Sequence, residues 1–171
     1  MQTWEAIRAR RNIRSFEDKP IAEEDLHRIL EAGRRAPSAN NRQWRDFVVS
    51  TDREQLHELA KAWQGAGHVA TSAATVTVVL PIDGDDRSRG LDLFDAGQAV
   101  AQMMLAAADL GIGSGHASTG DKAVVRRVLG LPEDRDPAYF VAFGYPADRP
   151  LRPLQHPNRR PFEEVVHFDH W

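Results

Sequence analysis

The run Arg10-Arg11-Asn12-Ile13-Arg14 sets three guanidiniums within five residues, at the end of a helical pattern. Such cations repel one another unless an anion or several carboxylates sit nearby. Guanidinium forks match phosphate oxygens bidentately, so a phosphate is the natural counterion. Taken alone, the run is equally an ordinary solvated basic face. A second pair, Arg159-Arg160 followed by Pro161, lies far away in the chain. Two separated arginine clusters in an acidic chain suggest convergence on one anionic ligand.

The stretch Pro37-Ser38-Ala39-Asn40-Asn41-Arg42-Gln43 carries small and amide side chains, each amide offering donors and acceptors together. These groups suit hydroxyls or a polar ring edge, although a plain helix-to-strand turn has the same composition. Between Gly111 and Gly120, glycines stand at 111, 113, 115 and 120. We expect a loop there, whose backbone N–H groups approach a ligand closely. It is not a dinucleotide fingerprint, because Gly111-x-Gly113-x-Gly115 follows a helix rather than a strand.

Other chemistries find no anchor. The seven histidines include no H-x-H or H-x-x-x-H pair, and only His167 and His170 stand three apart, so no metal site is expected. No G-x-S-x-G elbow is present, and the chain has no cysteine, which excludes disulfides, thiolate nucleophiles and cysteine-ligated metals.

The elements that must position these groups can be read from the pattern. Trp4, Ile7 and Ile13 mark a first polar helix with Thr3 as N-cap. Pro20 opens a second, with Leu26, Ile29, Leu30 and Gly33 on one stripe. Phe47-Val48-Val49 reads as a short buried strand, and Thr51-Asp52-Arg53-Glu54 has capping-box spacing for a helix carrying Leu56, Leu59 and Trp63. Thr75 to Leu80 reads as a second buried strand. After a polar turn, Asp83 to Gly90, comes the longest helix, Leu91 to Leu110. Its middle is apolar nearly all round and rich in small residues, which predicts burial on every side. Asp121 caps a short helix through Leu129, and Tyr139 to Phe143 is a third strand. The tail from Pro146 to Trp171 holds five prolines and little pattern, as expected of an arm that wraps a partner.

A chain of 171 residues supports one domain, here an α+β domain spanning 1–171. The 22 Lys and Arg against 25 Asp and Glu leave a net charge of −3, which argues against a nucleic-acid or anionic-membrane surface. Met1 to Arg14 lacks the apolar core of a signal peptide, and Ala99 to Leu110 falls short of a membrane span. The expectation is a cytoplasmic protein.

Taken in order, these pieces resemble the FMN-dependent nitroreductase family along nearly the whole chain. Ala6-Ile7-x-x-Arg10-Arg11-Asn12-Ile13-Arg14-Ser15-Phe16 resembles the family's opening motif for FMN phosphate and the pyrimidine edge. Ala32 to Trp44, with Ala36-Pro37-Ser38-Ala39-Asn40-Asn41-Arg42-Gln43-Trp44 at its centre, resembles the second flavin loop. Asp95-Ala96-Gly97 to Gly111-Ile112-Gly113 is similar to the long central helix about which two subunits pair. Phe143-Gly144-Tyr145-Pro146 and Asn158-Arg159-Arg160-Pro161-Phe162 onward resemble the closing strand and C-terminal arm, here about 146–171. The resemblance implies a central, mostly antiparallel sheet flanked by helices, with the long helix at a homodimer interface.

It also implies FMN held by Arg10, Arg11, Asn12 and Arg14, by Pro37, Ser38, Ala39, Asn41 and Gln43, by Gly115, His116, Ala117 and Ser118, and by Arg159 and Arg160. Within that set, Arg10 and the Arg159-Arg160 pair hold the phosphate, and Arg14 supplies the positive charge near N1 and O2. Ser38 and Asn41 reach the flavin of the other subunit. No catalytic side chain is implied, because the flavin carries the redox chemistry: hydride from NADH or NADPH, passed in ping-pong order to a nitroaromatic, quinone or similar acceptor. The chain departs from the pattern at Asn12, where Ser is usual, and at Trp44, which follows Gln43 without the usual proline. His116 replaces a larger aromatic, and the chain is short between Leu80 and Leu91, which implies a more open pocket. Two other readings remain: a family member that stores or cleaves flavin without nicotinamide-driven turnover, and, from a different class, an Arg-rich nucleic-acid binder.

Overall fold

The computed structural model describes residues 2–82 and 85–171. Among the described residues, four strands form one antiparallel sheet: β1 (Asp46–Ser50), β2 (Ala74–Pro81), β3 (Gly113–Ser118) and β4 (Arg135–Gly144), in the order β1-β2-β4-β3. The described residues also form five α-helices: α1 (Thr3–Ala9), α2 (Glu23–Arg34), α3 (Arg53–Ala60), α4 (Asp86–Asp109) and α5 (Lys122–Leu129). The α+β architecture agrees with the expectation.

β2 is buried along its whole length, as its β-branched run requires of a central strand. Residues two apart share a face, so β4 serves two cores. Val141 and Phe143 join Val76, Val78, Ile29, Met103 and Ala107 beneath α2 and α4, whereas Phe140 and Ala142 join Leu56, Leu59, Val69 and Val125 beneath α3 and α5. The β2–β4 register slips between Val78 and Val79, where Pro137 enters the strand and Ala138 is left over. The α2 stripe is as predicted, and its Gly33 has a reason. A Cβ there would lie 2.7 Å from Met103 Cγ, so the glycine lets the two helices close.

Several boundaries move. Gln2, not Thr3, caps α1, its backbone N–H meeting Glu5 Oε2 at 3.1 Å. α2 begins at Glu23, because Pro20 belongs to the extended approach. The cap of α3 is Asp52, which accepts from Gln55 N at 2.8 Å, and Trp63 falls beyond that helix. Phe47, Val48 and Val49 lie on an edge strand and are only half-buried. Of the expected turn, Asp83 and Gly84 lie outside the described residues, while Asp86 to Gly90 form the first turns of α4, capped by the Asp85 side chain on Ser88 N. α4 is also not buried on all sides: Phe94, Gly97 and Ala101 face outward.

The larger correction concerns Gly111 to Gly120. Gly113 to Ser118 is not a loop but β3, paired from Gly113↔Gly144 to Ser118↔Tyr139. Its other edge meets the N-terminal segment, through the Asn12↔Ser114 bridge and an Ile13 N to Ser114 O hydrogen bond of 2.8 Å. Glycine is needed for that approach, because a Cβ at Gly115 would stand 2.2 Å from Ile13 O. Gly115→Ala is therefore expected to destabilise the fold by about 2 kcal/mol or more, measured by chemical denaturation. Wild-type stability in that variant would show that the two segments are not locked together.

Candidate functional site

α1 ends at Ala9, and Arg10 is its C-cap in extended conformation, with its N–H still bonded to Ala6 O. The chain then runs beside β3. α4 lies across the sheet with its small-residue face turned outward, leaving a cavity of about 570 Å³. Its apolar wall comes from Gly97, Val100, Ala101, Met104 and Leu105 of α4, with Ile7 of α1. Its polar groups are Arg10, His116 on β3, Tyr139 on β4 and Arg159 from the arm. Size and lining are those of a small-molecule site: mostly apolar, with a few convergent polar groups.

The two arginine clusters thus converge, but through one member of each. Neither Arg10 nor Arg159 is engaged with a carboxylate among the described residues. Arg11 turns away instead. It meets both oxygens of Asp148 at 2.7 and 2.9 Å and the Arg149 carbonyl at 2.9 Å, tying the arm to the N-terminal segment. That hydrogen bonding holds the Asp148 carboxyl below its usual range. Arg160 is likewise occupied within the arm, by the Glu164 carboxylate at 3.2 Å and carbonyl at 2.8 Å.

Asn12 and Arg14 are exposed beside β3. On β3 itself Gly115 and Ala117 point into the core, while His116 and Ser118 emerge, so the strand offers any ligand two side chains and its backbone. Ser118 Oγ accepts from Gly120 N at 3.2 Å. The second candidate loop contains a 3-10 turn, Ala39–Asn41, with Pro37 exposed at its entry. Ser38 Oγ closes it by accepting from Gln43 N at 3.0 Å. Asn40, Asn41 and Gln43 are all left-handed. Among the described residues no group of histidines and carboxylates could hold a metal ion, and no helix is long and apolar enough to cross a membrane.

Three features escaped the sequence reading. Asp92 and Asp95 are buried on α4 and bound to the 37–43 loop; two carboxylates in a small-residue helix were the visible signal. Tyr139, opposite Ser118, lines the cavity from β4. His68, in the 3-10 segment Gln64–Thr71, is buried beneath β3, with Nε2 3.3 Å from Gly115 O and Nδ1 without a hydrogen-bond partner. No motif marked it.

The sequence matches the Nitroreductase family over residues 7–79 and 60–145, and the chain belongs to that family. An Archaeoglobus fulgidus relative, provisionally named for NADH dehydrogenase and NAD(P)H nitroreductase activity, is 32% identical over 146 residues, covering 83% of this chain and 84% of its own. Among solved structures, nitroreductase A from Vibrio parahaemolyticus superposes with a TM-score of 0.88 at 26% identity, over 99% of this chain and 75% of that one. The NADPH:FMN oxidoreductase of Vibrio harveyi, complexed with NAD+, gives 0.83 at 27% identity, over 99% and 77%.

Burial lowers the His68 pKa; the Gly115 hydrogen bond opposes the shift, whereas the charges of Arg14 and His116 assist it. A folded-state value below the unfolded one, about 6.5, means that the unfolded chain takes up the proton first as pH falls. Stability from the neutral ring is complete above about pH 6.5 and declines below it. His68→Gln should lack that slope below about pH 6.5 in denaturation measurements. Parallel pH profiles for the two proteins would remove His68 as the cause.

Proposed function

We propose that this chain binds FMN in the α4 cavity and works as an NAD(P)H-dependent oxidoreductase. The observation that carries the reading is the meeting of Arg10 and Arg159, from opposite ends of the sequence, at one largely apolar cavity. Two guanidiniums without a carboxylate partner among the described residues suit a phosphate, and the apolar wall of α4 suits an aromatic ring system. The residues present therefore fit the cofactor. Arg10 and Arg159 hold the phosphate, Asn12 assists, and Arg14 supplies positive charge near the ring's pyrimidine edge. The β3 residues Gly115 to Ser118 offer backbone groups and the His116 ring. Arg11 and Arg160 serve the arm, and their contribution is its placement. When bound, FMN supplies the redox chemistry, taking hydride from NADH or NADPH and delivering it to a nitroaromatic, quinone or similar acceptor. The chain's own task is to orient donor and acceptor in turn over one apolar face, which gives ping-pong order.

The working unit in this reading is a homodimer. Phe94 is 67% exposed and Trp171 fully exposed, as are Phe162, Val165 and Phe168 for the most part. With the outward Gly97 and Ala101, they give α4 and the arm an apolar outer surface, the kind that marks a protein–protein contact. A second copy packing along α4, with each arm (about 146–171) laid on its neighbour, covers that surface and brings Ser38 and Asn41 toward the other cavity. Sedimentation at micromolar concentration should report a dimer, and a monomer there would defeat this arrangement.

The purified protein should be yellow and should bleach with NADH or NADPH under anaerobic conditions. A colourless protein that takes up no FMN would sink the reading. Arg10→Ala and Arg159→Ala should each weaken FMN by about 1.5–3 kcal/mol, roughly 10- to 150-fold, the cost of a lost hydrogen bond to a charged group. Riboflavin, without the phosphate, should bind wild type and variants alike. Equal losses for both flavins would place these arginines elsewhere.

A further inference from the structure

We propose that Asp92 and Asp95 are positioning residues that hold the 37–43 loop as a preformed polar edge for the uncharged part of the ligand. The inference rests on the flavin reading above. Both carboxylates are buried, at 5% and 6% exposure, on a helix whose middle is rich in small and apolar residues. Three residues apart, they share one face of α4, and each is spent on the loop. Asp95 Oδ2 accepts the Ala39 N–H at 2.9 Å, and Asp92 Oδ1 accepts Arg42 Nη2 at 3.1 Å. Arg45, also buried, donates to the carbonyls of Ala36 and Pro37. Burial draws its pKa down, and the charge of Asp95 opposes that shift.

Burial of this kind is a poor way to gain stability. Asp92 Oδ2, Arg42 Nε and Arg45 Nε are buried without hydrogen-bond partners, and apolar side chains would occupy the same space at lower cost. What the cluster does accomplish is conformational. Asn40, Asn41 and Gln43 have φ of 51°, 55° and 57°, a region that asparagine tolerates and glutamine does not favour. Left-handed non-glycine residues persist only where their surroundings over-determine them, and they gather at ligand clamps. Here the surroundings are Asp95 on the 3-10 turn, Asp92 on Arg42, and Ser38 Oγ on Gln43 N. Arg42 also stacks 3.8 Å over the Trp44 ring, fixing the exit of the loop. The clamp leaves the amides of Asn40, Asn41 and Gln43 exposed. With Arg42 consumed by Asp92, that edge presents neutral donors and acceptors, suited to hydroxyls and a ring edge rather than to phosphate.

The test uses flavin-free protein titrated with riboflavin and with FMN, together with hydrogen exchange at the Ala39 amide. D95A should weaken both flavins by the same factor, about tenfold or more, as expected for a lost charge-assisted hydrogen bond. It should also speed Ala39 exchange. D95N, which keeps an oxygen for that N–H, should recover most of both. If D95A does not fold, D92N is judged by the same titration, again with equal losses expected. A folded D95A or D92N that binds riboflavin as wild type does would overturn the proposal. Loss confined to FMN would also overturn it, by placing the effect at the phosphate. Wild type that takes up neither flavin would overturn the reading on which it rests.

Discussion

Strand β2 is buried on both faces, and that obliges the chain to cover its sheet twice. One cover is α2 with α4; the other is α3, α5 and the 3-10 segment around Val69. On the first side the cover must be thin enough for two helices to lie close together, which Gly33 permits by leaving room for Met103. α4 also runs about 36 Å, at roughly 1.5 Å per residue, against about 26 Å for β2 at roughly 3.3 Å per residue. Its inner residues complete the core, while its outer, small residues become the wall of a cavity. The groove is thus a consequence of covering β2 with a helix that has two apolar faces and only one sheet to satisfy.

The same geometry explains what was legible in the sequence. β2 and the α2 stripe were plain because a continuous β-branched run marks the one and apolar residues at period 3.6 mark the other. β3 was not plain. Gly113-Ser114-Gly115 has the composition of a loop, and only the pairing with β4 on one side and the approach of Ile13 on the other make it a strand. Both are long-range, and the glycine that suggested a loop is the residue the close approach demands. The start of α4 was hidden for a related reason. Asp85 to Gly90 is polar because it lies at the molecule's rim, so it reads as a turn although Asp85 caps a helix. Asp92 and Asp95 look like ordinary helix-surface residues until the 37–43 loop is placed over them.

Electrostatics divide these buried groups into two kinds. Asp136, near the start of β4, is buried, and burial alone would raise its pKa; Lys122 and Arg89 reverse this and hold it below the usual carboxylate range. Its oxygens are spent on cations from α5 and α4, so it fastens helices to the sheet. Asp92 and Arg42, by contrast, each keep an orphaned polar atom. The complete network lies away from the cavity and the incomplete one lies in a candidate binding loop, as expected if the second is kept for the shape it imposes.

The division of labour among the N-terminal arginines follows from where α1 stops. Inside a helix, Arg10 and Arg11 would differ by about 100° and could both reach one side. In extended chain, neighbours point to opposite sides and alternate residues agree. α1 ends at Ala9, so the chain from Arg10 onward is extended, and its two sides differ sharply. Ile13 is buried and the Arg11 side chain is 14% exposed against the arm, whereas Asn12 and Arg14 are open beside β3. Arg10, Asn12 and Arg14 therefore form one outward row, with Arg10 on the cavity. Arg11 and Ile13 form the inward row that carries the arm and the core. Three closely spaced guanidiniums would repel one another in a helix; alternation separates them, so that Arg10 stays free for an anion while Arg11 is neutralised by Asp148. The pairing of Asn12 with Ser114 fixes which residues face outward, which makes the path of the chain beyond α1, rather than the number of arginines, the feature that defines this side of the site.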